Sequence, residues 1–72
     1  MQIHLNGEAH DLETPPDSGG TPTLADLVAT LDLKGRRLAI EVNGALVPRS
    51  EHGAFRLSAG DRVEIVQAIG GG

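Results

Sequence analysis

Thr23-Leu24-Ala25-Asp26-Leu27-Val28-Ala29-Thr30-Leu31 is the stretch on which the fold turns. Thr23 has a side-chain oxygen suited to an N-cap, and Asp26, three residues on, can reach back as a capping-box partner. Leu24, Leu27, Val28 and Leu31 fall at i, i+3, i+4 and i+7, which is one apolar stripe on a short helix. The pattern predicts a helix over residues 24–32. Lys34 near its end suits the dipole, and Gly35 is the expected C′ stop. Such a stripe needs cover, and the flanking sequence supplies a sheet.

On the N-terminal side, Met1, Ile3 and Leu5 alternate with Gln2, His4 and Asn6, a period-2 strand with one buried face. Asn6-Gly7 is a strong hairpin signal, because a type I′ turn needs positive φ at both central positions. Residues 8–12 return as a second strand, whose inward face is ambiguous: Leu12 calls for burial and Ala9 lies on the opposite side. Residues 14–22 are rich in Pro, Gly, Ser and Thr and read as a loop with no apolar anchor. Ser18-Gly19-Gly20 lacks the glycine spacing and the Lys of a phosphate loop.

On the C-terminal side, Leu38, Ile40 and Val42 alternate with Ala39, Glu41 and Asn43 as a third strand, and Asn43-Gly44 is a second tight turn. Leu46 and Val47 start a short return strand that Pro48 limits. Ser50 is placed to cap a helical turn around Glu51 and His52. Ala59-Gly60-Asp61 is a turn, and the last strand puts Val63 and Ile65 on its inner face, with Arg62, Glu64 and Val66 outside. The order strand, strand, helix, strand, short strand, strand predicts an α+β roll: a mixed sheet with the helix across one face. Leu5, Leu27, Leu31, Ile40 and Ile65 are the expected core. One domain over 1–69 and a flexible glycine tail over 70–72 complete the expected organisation.

Composition narrows the function classes. Seventy-two residues make one domain at most. The absence of cysteine excludes disulfides, thiolate metal sites and a cysteine nucleophile. A net charge of −4 argues against phosphate-backbone recognition, and Phe55 as the sole aromatic argues against base stacking. No apolar run approaches the ~20 residues that cross a bilayer. A monomeric protein of the cytoplasm, without nucleic-acid or membrane partners, is expected.

Internal catalysis finds little support. The carboxylates are scattered over loops and outer strand faces. His4 and His10 flank one hairpin, but no spacing selects the three or four convergent ligands of a zinc site, so solvent-facing histidines are expected and no metal site is assigned. Ser18, Ser50 and Ser58 have no base partner at a fixed offset. No catalytic residue is assigned within the chain. What is left is the end, where an apolar strand runs into Gly70-Gly71-Gly72. Without Cβ atoms, such a segment can thread a channel too narrow for side chains, reaching at most ~10 Å beyond Ile69. A terminal carboxylate, with a reference pKa of roughly 3.3–3.7, is ionised and a poor electrophile until activated, most simply as a mixed anhydride with AMP. A bare floppy end is the other reading of the same composition. Val66 and Ala68, beside Ile69, are a candidate docking surface just ahead of the tail.

Particular motifs sharpen this. The hairpin Ile3-His4-Leu5-Asn6-Gly7-Glu8, the helix start Thr23-Leu24-Ala25-Asp26-Leu27-Val28 and Ala39-Ile40-Glu41-Val42-Asn43-Gly44 are joined by Val47-Pro48-Arg49, Gly60-Asp61-Arg62-Val63-Glu64-Ile65 and the terminal run Val66-Gln67-Ala68-Ile69-Gly70-Gly71-Gly72. Together they resemble the ThiS family of sulfur carriers in thiamine biosynthesis, which share the β-grasp fold of ubiquitin. The loop over 14–22 is longer than the family pattern. The resemblance implies that an E1-like adenylating enzyme of the ThiF type, using ATP and Mg, activates the Gly72 carboxylate. It further implies that Gly70 and Gly71 thread the partner's active site. A persulfide originating from a cysteine desulfurase then leaves a thiocarboxylate, which delivers sulfur to a ThiG-type thiazole synthase. The chain is then a co-substrate and not an enzyme, and it binds no cofactor itself. A carrier for molybdopterin-type synthesis, a ubiquitin-like protein modifier and a plain binding module with an incidental tail are the alternatives.

Overall fold

The computed structural model describes residues 1–14 and 20–67. Its strands are β1 (Gln2–Leu5), β2 (Glu8–Asp11), β3 (Leu38–Val42), β4 (Ala45–Leu46) and β5 (Arg62–Gln67), with helix α1 (Leu24–Thr30) and a 3₁₀ turn over Arg49–Glu51. The sheet order is β2-β1-β5-β3-β4. β1 is antiparallel to β2 and parallel to β5, while β3 is antiparallel to both β5 and β4. The last strand in sequence is therefore the middle strand in space.

Both Asn-Gly turns have the backbone their sequence demands. Asn6 and Gly7 have φ of 50° and 84°, and Asn43 and Gly44 have 52° and 86°. Each Asn also stitches its hairpin to β5. The Ile65 N–H donates to Asn6 Oδ1 at 2.8 Å, and Asn6 Nδ2 donates to the Ile65 carbonyl at 3.4 Å. The Arg62 N–H donates to Asn43 Oδ1 at 3.0 Å, and Asn43 Nδ2 donates to Asp61 Oδ1 at 3.1 Å. A primary amide reproduces the donor and acceptor of a peptide group, so Asn6 prolongs the parallel β1–β5 ladder beyond the end of β1.

The capping box forms as expected. The Asp26 N–H donates to Thr23 Oγ1 at 3.2 Å, and the Thr23 N–H donates to Asp26 Oδ2 at 2.8 Å. The far end differs from expectation. The helix stops at Leu31, with Asp32 at φ 58° in the C′ position and Gly35 in a later turn. The Leu33 N–H donates to the Val28 carbonyl and the Asp32 N–H to that of Ala29, the paired bonds of a Schellman motif. Asp is among the residues that tolerate the left-handed region, and closing there lets Leu33 turn back onto the core.

Leu24, Leu27 and Val28 of α1 pack into one buried cluster with Ile3, Ile40, Val42 and Val63 of the sheet, joined by Leu12, Val47 and Leu57. Of the expected core, Leu27 and Ile40 are fully buried, while Leu5, Leu31 and Ile65 are half-buried at its margin. Leu12 is buried and Ala9 exposed, which settles the face of β2. Three local expectations are corrected. Ser50 lies inside the 3₁₀ turn, which Pro48 leads without any side-chain cap. Val47 follows β4 rather than belonging to it, yet its N–H still donates to the Ile40 carbonyl. The loop over 14–22 does have an apolar anchor: Pro22 is fully buried, and its carbonyl accepts the Leu57 N–H at 2.9 Å. Residues 15–19 of that loop lie outside the described residues.

Candidate functional site

β5 leads into the terminal glycines, so the site is built from what holds β5. Its pairing to β3 runs the full length, from Val42 opposite Val63 to Leu38 opposite Gln67. On its other side, β1 pairs with its first half and the Asn6 side chain holds Ile65. Val63 is buried and Ile65 half-buried beneath the helix. Backbone bonds on both edges and side chains from below therefore hold the strand up to its C-terminal half.

The outer face of this strand is uncovered. Val66 is 64% exposed, and Leu46 on β4 is 66% exposed. The pairings Ala39–Val66, Glu41–Glu64 and Glu41–Leu46 place all these side chains on one face, since paired residues share a side and residues two apart repeat it. Leu46 joins Val66 in this patch and was not singled out from sequence. Its signal was available: a two-residue turn at Asn43-Gly44 sets Glu41 opposite Leu46, which sends Leu46 outward. Glu41 and Glu64 lie directly opposite each other between the apolar residues, a like-charge pairing that disfavours the free sheet.

Of the expected site residues, Val66 lies on the outer face as anticipated, while Ala68, Ile69, Gly70, Gly71 and Gly72 fall outside the described residues. The histidines do not all face solvent. His4 is exposed opposite Ala9, His10 is half-buried opposite Ile3, and His52 is buried with Nε2 3.1 Å from the Val47 carbonyl. Strand alternation sends His4 and His10 to opposite faces of the hairpin, so they cannot share an ion. Among the described residues, no group of three or more His, Asp or Glu side chains converges as a metal site. Also among the described residues, no helix is long and apolar enough to cross a membrane.

Comparison with known proteins identifies relatives of this architecture. The family model of the ThiS family matches residues 3–72. A thiazole synthase of Magnetococcus marinus is 43% identical over the whole of this chain, and one of Paramagnetospirillum magneticum is 32% identical. The chain spans about a fifth of the length of these two relatives, 20% in each case. The uncharacterized protein ycf40 of Porphyra purpurea is 32% identical, and the chain covers 93% of it. Among solved structures, the thiamine biosynthesis protein ThiS of Geobacter metallireducens superposes with a TM-score of 0.77 at 25% identity, covering 100% of both chains. The five-stranded mixed sheet with one helix across it is the β-grasp roll of that protein.

Proposed function

This chain belongs to the ThiS family, and we propose that it is a sulfur carrier of thiamine biosynthesis whose working group is the Gly72 carboxyl. The observation that supports this most directly is the central position of β5. A strand bonded on both edges as far as Ile65 and to β3 as far as Gln67 gives the following segment a fixed base, and that segment reaches roughly 17 Å at full extension. A carrier needs this combination of fixed body and slender arm, because transfer at a remote active site depends on where the terminal atom lands. The relatives named thiazole synthase point to the class of enzyme that receives the sulfur.

In this reading the carboxylate oxygen attacks the α-phosphorus of ATP on an E1-like enzyme of the ThiF type, and pyrophosphate leaves. A persulfide that originates from a cysteine desulfurase attacks the acyl carbon, and AMP leaves. Thiol reduction of the resulting acyl disulfide frees the thiocarboxylate, whose sulfur is nucleophilic. The partners supply the catalytic groups, the ATP and the Mg. Val66, with Ala68 and Ile69, docks the outer face on the adenylating enzyme. Gly70 and Gly71 thread its channel.

The test is the intact mass of the protein isolated from cells, and again after incubation with the adenylating enzyme, ATP and a sulfur source. Replacement of one oxygen by one sulfur is the expected result. A mass without that exchange, or the formation of protein conjugates through Gly72, would refute it.

A further inference from the structure

A groove of about 400 Å³ opens on the helix side of the molecule, away from the outer face of the sheet. Val28, Leu33 and Leu38 supply apolar lining, and Lys34, Arg36 and Arg49 supply cations. Three of the six Lys and Arg residues of an acidic chain thus gather at one opening. They come from the turn after α1 and from the 3₁₀ turn, segments that only the fold brings together. Among the described residues, none of the three forms an ion pair; one carboxylate, Asp26, also lines the groove and accepts the Thr23 N–H through Oδ2, which leaves the cations in excess. Leu38 of the lining pairs with Gln67, so the groove borders the point where β5 gives way to the tail.

We propose that this groove docks an acidic surface of the sulfur-accepting synthase, with carboxylates meeting Lys34, Arg36 and Arg49 and an apolar side chain entering between them. This rests on the sulfur-carrier reading above. A protein surface fits better than a small anion. The three cations are exposed, and a small-anion pocket requires convergent, enclosed donors, whereas a protein face needs only a complementary field and some apolar area. The synthase fits better than the adenylating enzyme for two reasons. In the carrier reading, the outer face with Val66 is given to the latter. In the two thiazole synthase relatives, moreover, a domain like this one forms part of the same chain as the rest of the enzyme, which keeps the two in lasting proximity. The two flanks of the tail's root then serve two partners.

The experiment is calorimetric titration of the full chain with the ThiG-type thiazole synthase of the same organism, at low and at physiological salt. Arg36→Glu and Arg49→Glu are each expected to weaken binding by about tenfold and to flatten its salt dependence. Arg62→Glu makes the same charge change on the outer face, at the end of β5 far from Val66, and is expected to change binding less than twofold. Circular dichroism confirms folding, which these exposed side chains leave intact. Unchanged affinity and salt slope in both groove variants, with wild-type binding present, would overturn the groove while leaving the carrier reading in place. No binding by wild type, together with no thiocarboxylate in the mass assay, would overturn both. Saturable binding of ATP or inorganic phosphate below millimolar concentration, lost in the same two variants, would make the groove a small-anion site and refute the docking role.

Discussion

Asn6→Ala perturbs the turn and the central strand at once, and the structure allows its cost to be divided. The side chain accepts the Ile65 N–H at 2.8 Å and donates to the Ile65 carbonyl at 3.4 Å. The first is a well-formed bond and the second lies at the weak end of the range, so together they contribute about 1 kcal/mol net at this exposed site. The backbone sits at φ 50°, where Ala is disfavoured relative to Asn by roughly 1 kcal/mol. The sum is about 2 kcal/mol. A chain of this length has on the order of 4–11 kcal/mol of stability in total, and the loss corresponds to roughly 10 °C in Tm. Asn6→Gly relieves the backbone and removes only the side-chain bonds, so it should fall about halfway between. Urea titration followed by far-ultraviolet circular dichroism is the appropriate assay, since the chain has no Trp or Tyr. Hydrogen exchange at the Ile65 amide should accelerate in both variants. An Asn6→Gly protein as stable as wild type, with unchanged exchange at Ile65, would show that the stitch to β5 contributes nothing.

Other substitutions probe separate parts of the structure. Leu27→Ala empties the fully buried centre of the helix stripe and should cost about 2–5 kcal/mol in the same urea titration. Asp32→Gly relieves the left-handed C′ position of α1 and should stabilise by about 0.5–1 kcal/mol, seen as a higher denaturation midpoint. Val66→Asp should weaken association with the adenylating enzyme while leaving the melting curve unchanged; equal affinity in a titration would remove Val66 from the docking face. A chain ending at Gly71 places its carboxyl roughly 3.5 Å short, and ATP–pyrophosphate exchange should fall by about 10²-fold or more, with Gly71→Val similarly impaired and Glu8→Gln unaffected. Full exchange by the shortened chain would mean that Gly72 is not the substrate.

Local chemistry was legible in the sequence wherever neighbouring residues decide the outcome. The stripe of Leu24, Leu27 and Val28, the Thr23–Asp26 box and the two Asn-Gly turns depend on contacts within a few positions, and they formed as read. The outward direction of Val66 followed from strand period alone. The helix end did not: Gly35 was the expected stop, and the chain closes at Asp32 instead. Packing decided the point: closure at Asp32 returns Leu33 to the core, a long-range gain invisible to a propensity argument. The burial of His52 and Pro22 escaped for the same reason. Both are polar-loop residues by neighbourhood, covered by elements distant in sequence.

What the sequence determined by itself is the set of elements, their turn types and the glycine end, because backbone sterics and side-chain period act over a few residues. Tertiary structure alone decided that β5 is the central strand and that Asn6 reaches across 59 positions to bond it. It alone brought Lys34, Arg36 and Arg49 around one groove. These depend on which strands pair and on what the buried apolar faces exclude from water, and burial is a property of the assembled sheet and helix rather than of any segment.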